Sequence, residues 1–251
     1  MIDLAKLDRP PAGFAGCDKC AYRDTGSAPI CFACASEHSE AVPPDSCEVC
    51  DLPCKPDEEC QNPLCGWDDR YFTRVRAITM RIGQMEWAIS RYKYGGKLGW
   101  RAIFGRILVG FLNEHADEFG SYDAIIPSPS YTGPDAERGF DHTRQIIEAA
   151  VVEEPIAWPF EYELVVKDAP TERFATLGAV KPWRERKEIA EGPLRSALRV
   201  PDSSRVSGRR ILVFDDVFTE GFTIREVARA LLGCGATEVS EIVLARQPFR
   251  G

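Results

Sequence analysis

One stretch constrains the fold of this chain more than any other. Ile211, Leu212, Val213 and Phe214 are four apolar residues in a row, β-branched and aromatic in character. Such a run reads as a strand buried on both faces. Asp215 and Asp216 follow where that strand is predicted to end. A short turn carrying Thr219, Gly221 and Thr223 comes next, and then Ile224, Val227, Ala228, Leu231 and Leu232 mark one face of a helix. A buried strand feeding a helix through a short turn predicts an α/β fold, a parallel sheet flanked by helices. In such sheets ligands bind beyond the carboxyl ends of the strands. The turn enters a helix N-terminus, whose free N–H groups and positive dipole end suit a phosphate. Two adjacent carboxylates would repel that phosphate, so they are placed to hold sugar hydroxyls or a bound Mg2+. The ligand implied is a ribose phosphate.

The cysteines mark a second module. Nine of the ten lie before residue 66, at Cys17, Cys20, Cys31, Cys34, Cys47, Cys50, Cys54, Cys60 and Cys65. Three Cys-x-x-Cys pairs (17/20, 31/34 and 47/50) are predicted to form tight knuckles that offer two thiolates each to a tetrahedral Zn2+. Cys17, Cys20, Cys31 and Cys34 make one four-thiolate set. Cys47 and Cys50 with Cys60 and Cys65 make a second, leaving Cys54 spare. Cys54 can replace Cys60, and the pairs can interleave; spacing does not decide. One or two structural zinc ions are expected. An odd count of cysteines and no secretory signal pattern argue against a disulfide framework. His38 is expected to face solvent, since four thiolates already fill the nearby set.

Charge bears on what this module can bind. Residues 1–70 hold 14 Asp/Glu against 6 Lys/Arg, whereas residues 71–251 hold 25 of each. All of the net charge of −8 therefore sits with the cysteines. Two four-thiolate zinc sites would add about −4 more. Nucleic-acid binding wants the opposite balance. The module, taken as residues 1–70, is expected to be a brace or a protein-docking surface, with nucleic acid not favoured as a partner. No 18-residue apolar run is present, so no membrane span is expected, and a cytoplasmic location follows as an expectation.

The rest of the chain, residues 71–251, is expected to form the α/β domain. Strand character over 72–80, helices over 85–92 and 100–115, a strand near 124 and a helix over 140–152 precede the central stretch. His115 is expected to be a solvated helix end. A short strand at 164–166, no clean periodicity over 167–196, a strand at 197–200 rejoining the sheet and a last strand at 239–245 complete it. Cys234 is expected to be a small buried residue.

The segment Asp215-Asp216-Val217-Phe218-Thr219-Glu220-Gly221-Phe222-Thr223 resembles the phosphoribosyl pyrophosphate (PRPP) loop of type I phosphoribosyltransferases, usually Asp-Asp-Val-x-Thr-Thr-Gly-x-Thr. Lys93-Tyr94-Gly95-Gly96, Ala124-Ile125-Ile126-Pro127-Ser128-Pro129-Ser130 and Glu137-Arg138-Gly139-Phe140-Asp141 are similar to signatures of one branch, the ComF/GntX-like family. That family joins a Cys-x-x-Cys zinc segment to a phosphoribosyltransferase domain, so the resemblance covers most of the chain. It implies Mg2+ with PRPP, or with a ribose-5-phosphate-containing nucleotide. Asp215 and Asp216 would hold the ribose hydroxyls. Thr219, Glu220, Gly221, Phe222 and Thr223 would surround the 5′-phosphate. Ser128, Ser130 and Arg138 would meet the pyrophosphate. Lys167, Arg173, Arg184 and Arg186 are candidate cations of a closing loop.

Three departures from the family pattern stand out. Glu220 occupies a position usually held by an uncharged or basic residue, and a carboxylate beside a phosphate is costly unless it points outward. Asp141 replaces Asn, and His142 replaces Gln. Thr219 stands where purine-salvage members carry a carboxylate, which argues against 6-oxopurine salvage. No glutaminase nucleophile is visible, so glutamine-dependent amide transfer is disfavoured. The resemblance leaves a phosphoribosyltransferase with an unknown acceptor, a PRPP- or nucleotide-sensing protein with little turnover, and a competence-type factor handling single-stranded DNA.

Overall fold

The protein is described here as a computed structural model covering residues 28–54, 58–136, 139–154, 157–172, 174 and 181–248. Cys17, Cys20, Glu137, Arg138 and Arg173 lie outside the described residues.

Four strands form one parallel sheet: β1 Val75–Met80, β2 Ala124–Pro127, β5 Arg210–Phe218 and β6 Glu238–Arg246, in the order β1-β6-β5-β2. β5 is central, with Ile125 paired to Leu212 on one side and Phe214 to Ile242 on the other. Ile211, Leu212, Val213 and Phe214 are all fully buried, as a strand covered on both faces requires. The strand runs further than its apolar core. Asp215 still pairs with Val243 and Phe218 with Arg246, so the two acids sit within the ladder and not beyond it. Hydrogen bonds to β6 keep the backbone extended after the apolar run has stopped.

One face of the sheet is covered by α2 Gly83–Tyr94, α3 Trp100–Glu114 and α5 His142–Glu153, with the short α4 Ala116–Phe119 after α3. α3 is buried well beyond a single stripe, because α1 Ala28–His38 packs on its outer side, where Phe32 meets Phe111 edge-on at 6.2 Å. Gly105 of α3 allows α5 to approach closely; a Cβ there would lie 2.8 Å from the Ala150 nitrogen. His115 stacks on Phe111 at 4.2 Å and its Nδ1 contacts the Phe111 carbonyl at 3.0 Å. It closes the helix end against its own last turn instead of standing free in solvent.

The other face is covered by α7 Phe222–Gly233, by Leu52 and Leu64 from the cysteine-bearing segments, and by Leu194 and Leu198. Edge strand β1 is capped by the 49–51 knuckle. The Val75 N–H donates to the Val49 carbonyl at 2.8 Å, and the Ala77 N–H donates to Asp51 Oδ2 at 2.8 Å. An edge covered in this way is not available for strand pairing.

Two expectations need correcting. The strand near 197–200 does not rejoin the parallel sheet. β4 Leu198–Arg199 pairs antiparallel with β3 Val166–Lys167 in a separate two-stranded ribbon. The segment before it is not structureless. It contains α6 Trp183–Ile189, a π-helical turn Ala190–Leu194 and a last helical turn Arg195–Ala197. Its charges obscured the periodicity because several are consumed by internal pairs. Arg195 binds Glu226 at 2.8 Å and Arg186 binds Glu220 at 2.6 Å.

Candidate active site

The carboxyl ends of β5 and β2, the N-terminus of α7 and the end of α2 enclose a cavity of about 400 Å3. Asp215, Asp216, Thr219, Thr223, Ser128 and Ser130 all line it, together with Lys93, His142, Lys167 and Arg81. Residues scattered over more than 140 positions of sequence therefore meet at one switch in the sheet, where ligands of open α/β folds bind.

At its base lies Asp216, 2% exposed. Lys93 Nζ is 2.7 Å from its Oδ2 and 3.0 Å from its Oδ1, and His142 Nε2 is 3.7 Å from Oδ1. Burial alone would raise the Asp216 pKa, but the Lys93 charge and His142 hold it well below the ordinary carboxylate range. Asp215 has the opposite fate. Burial and the Asp216 charge push it up to about 7, while Lys93 opposes them. Two neighbouring acids with separated ionisation are what a site needs to keep one fixed anion and one titratable group. The side-chain ligand atoms of His142, Asp215 and Asp216 lie within 4.8 Å of one another.

His142 opens α5 behind the N-cap Asp141, which accepts the Arg144 N–H. Its Nδ1 is 3.4 Å from Ser130 Oγ, and Tyr92 Oη donates to its carbonyl at 2.8 Å. The Ser128 N–H is engaged with the Phe214 carbonyl at 2.7 Å, so its hydroxyl is what it can offer the cavity.

The turn before α7 depends on Gly221, at φ 95°, where a Cβ would strike Phe218 Cζ at 2.7 Å. Only glycine fits this left-handed position without strain. Thr219 and Thr223 face the cavity; Glu220 and Phe222 do not. Phe222 is buried and packs on Trp183 at 4.7 Å. Glu220 Oε1 accepts from Arg186 Nη2 at 2.6 Å, away from the cavity. Burial pushes the Glu220 carboxyl up and the Arg186 charge pulls against it. The unusual glutamate is thus neutralised by the guanidinium that the sequence nominated as a closing cation. Arg184 is exposed and pairs with Glu188, whereas Lys167 reaches Thr171 at the cavity wall.

Of the cysteine pairings left open by spacing, the fold assembles Cys47, Cys50, Cys60 and Cys65. Their sulfurs are 3.9 Å (47–65), 3.7 Å (50–60) and 3.8 Å (60–65) apart. A disulfide needs about 2.05 Å. Tetrahedral coordination at about 2.3 Å per Zn–S bond puts sulfurs about 3.8 Å apart. Hydrogen bonds from Cys50, Cys60 and Cys65 hold the Cys47 thiol far below its ordinary pKa, as the sharing of protons among clustered sulfurs requires. Cys54 stands outside the cluster, its Sγ 3.2 Å from the Leu52 carbonyl. Cys31 and Cys34 lie on the buried face of α1, a helix and not a knuckle.

Lys93, Arg81, Asn62 and Arg246 are among the side chains to which the sequence assigned no role. Lys93 was visible only as part of a signature.

No family model matches the chain. The competence protein ComFC of Streptococcus pneumoniae is 26% identical over 225 residues, covering 86% of this chain and 87% of that protein. The chain is thus similar to a competence protein over most of its length. A solved structure, the allosteric regulatory enzyme of purine biosynthesis, is 23% identical, with a TM-score of 0.34; the match covers 57% of this chain and 25% of that one. That superposition is too partial to argue from. What the structure itself shows is a parallel four-stranded sheet flanked by helices, with a four-cysteine cluster beside it. Among the described residues no helix is long and apolar enough to cross a membrane.

Proposed function

We propose that this protein binds Mg-PRPP in the cavity and transfers its phosphoribosyl group to an acceptor, releasing pyrophosphate. The observation that carries the reading is the placement of Asp215 and Asp216 beside a glycine turn that opens α7, with Thr219 and Thr223 on the same wall. The first N–H groups of a helix lack intrahelical partners, so a 5′-phosphate gains both their hydrogen bonds and the dipole. Asp216, fixed as an anion by Lys93, would accept from a ribose hydroxyl. Asp215 would take the second hydroxyl or a Mg2+-bound water; Mg2+ itself would screen the diphosphate charge. Lys93, Lys167 and Arg81 supply positive charge around the departing group. Rate enhancement would come from positioning and charge neutralisation as the anomeric carbon becomes cationic. The Arg186–Glu220 pair removes the objection that a glutamate in this loop repels phosphate. In the zinc module, Cys47, Cys50, Cys60 and Cys65 would hold one structural Zn2+.

Affinity for Mg-PRPP should depend on pH through Asp215, which faces Asp216, Lys93 and, within the same buried charge group, Glu241. Only its ionised form can draw Mg2+ or accept from two hydroxyl groups. With a pKa near 7, affinity should rise about tenfold from pH 6 to pH 8 and level off above. Calorimetric titrations at several pH values check this, and Asp215→Asn should flatten the profile to whatever PRPP itself contributes. Stability runs the other way, because a carboxyl whose folded pKa is raised loses stabilisation as pH climbs from about 4 to 7.

A pyrophosphate-release assay across candidate acceptors tests transfer. Release with any acceptor supports the enzyme. Tight PRPP binding without release from any acceptor would favour sensing. The relative's name, a competence protein, raises handling of single-stranded DNA as the alternative; tight, steeply salt-dependent DNA binding would favour it.

A further inference from the structure

We infer that Arg246 is a positioning residue that ties the four-cysteine site to the phosphate-facing loop, so that the state of the sulfurs sets the order of that loop. Its consequence for affinity rests on the reading of the loop as a PRPP site; the mechanical link does not.

Arg246 ends β6 and is 2% exposed. Its Nε donates to the Cys50 carbonyl at 2.8 Å, and its Nη2 lies 3.7 Å from Cys50 Sγ. Its Nη1 donates to the Thr219 carbonyl at 2.8 Å and the Phe218 carbonyl at 3.2 Å, as well as to its neighbour Gln247. One guanidinium thus grips a cysteine of the cluster with one edge and the start of the loop with the other. Asn62 supplies a second strut. It lies two residues after Cys60, and its backbone N–H points to Cys60 Sγ at 3.4 Å. Its Nδ2 donates to the Glu220 carbonyl at 3.1 Å, while its Oδ1 accepts from the Leu64 N–H.

Three consecutive carbonyls, those of residues 218, 219 and 220, therefore accept from Arg246 or Asn62, side chains of residues that also bond Cys50 or Cys60; the first of them accepts the Gln247 N–H as well. Those carbonyls fix the peptide planes whose other sides carry the N–H groups of 219–221, so their orientation sets where the loop's donors point. A buried guanidinium needs compensating negative charge. The hydrogen-bond partners of Arg246 are carbonyls and a sulfur; the carboxylates of Glu241 and Glu220 act on it through their charge, and the thiolates of an occupied cluster would add to that charge beside Cys50. Emptying the site would remove both that addition and the fixed geometry of Cys50 and Cys60.

Hydrogen exchange on the full-length, zinc-loaded protein tests the link, beside Arg246→Met and Asn62→Asp. The second variant keeps the oxygen that caps Leu64 and turns the donor to Glu220 into a carboxylate oxygen that repels that carbonyl. Each should retain the wild-type zinc content and the protection of β5. Each should also show faster exchange, by about tenfold or more, at Gln247 and Arg225, whose N–H groups bond the Phe218 and Gly221 carbonyls at the two ends of the loop, and Mg-PRPP affinity weaker by about tenfold. Arg246→Lys, which keeps the charge, should recover part of both losses. Stripping zinc from the wild type should raise exchange at Gln247 and Arg225 in the same way. Unchanged exchange there, in the variants or on zinc removal, would overturn the inference; so would a uniform rise through the whole sheet, which would be global opening. If the wild type does not bind PRPP but the exchange pattern appears, the link stands and the proposed ligand falls.

Discussion

Lys93→Met is expected to destabilise the protein by about 3–5 kcal/mol at neutral pH, because it leaves the Asp216 charge buried without its partner. Asp215 should rise further from about 7, since Lys93 is the charge that opposes its upward shift, and its protonation offsets only its own part of the deficit. The pH dependence should change sign as well. In the wild type the Asp216 pKa is depressed, so its contribution is present above the unfolded value near 4 and lost only as pH falls through the folded one. Without Lys93, burial dominates and the pKa rises, so stability should fall as pH climbs above about 4. Urea unfolding at pH 5 and pH 8 measures both effects: the variant should be less stable than the wild type, by a wider margin at pH 8 than at pH 5. An equal margin at both would mean that the loss does not come from the Asp216 charge. Mg-PRPP binding should also weaken, since an unpaired Asp216 protonates and gives up its acceptor role.

Cys50→Ser should have the second large effect. Cys50 is fully buried, belongs to the cluster that packs against β5, and presents both its sulfur and its carbonyl to Arg246. Losing one of four thiolates weakens a site whose binding energy is folding energy. Zinc content should drop by one equivalent per chain, and Tm should fall by about 10–15 °C, the equivalent of several kcal/mol in a domain of this size. Cys54→Ser is the internal control. That sulfur stands outside the cluster, so the variant should keep its metal and its Tm. If both serine variants behave alike in elemental analysis and thermal scans, the cluster is not a metal site.

The central βα unit was legible because its signal is local. An apolar run, a turn glycine and a 3.6-residue period lie within 22 residues, and each reports on its own neighbourhood. The double acid, the two threonines and the need for glycine at 221 were readable for the same reason. The electrostatics around them were not. Lys93 and Asp216 are 123 positions apart, and Arg246 and Cys50 are 196 apart; no periodicity connects such pairs. Glu220 looked like a defect from the loop alone, since its partner Arg186 comes from a segment whose charges hid its helix. Arg225 and Glu226 mislead in a similar way. They occupy positions that a helical-wheel reading gives to solvent, yet both are fully buried. Arg225 pairs with Asp69 and Glu191, and Arg195 and Arg229 close on Glu226. The cysteine clustering illustrates the middle case. Spacing named the candidates, and only the packing of Leu52 and Leu64 against the sheet selected which four sulfurs meet.

The measurement that bears most directly on the central claim is calorimetric titration of PRPP with Mg2+ into the zinc-loaded wild type and into Asp215→Asn/Asp216→Asn. Binding at micromolar affinity, one site per chain, abolished in the double variant, is the expected result. A folded, zinc-loaded wild type that releases no heat with Mg-PRPP at pH 8, where Asp215 is ionised, would contradict the account and shift attention from the cavity to the protein's other surfaces.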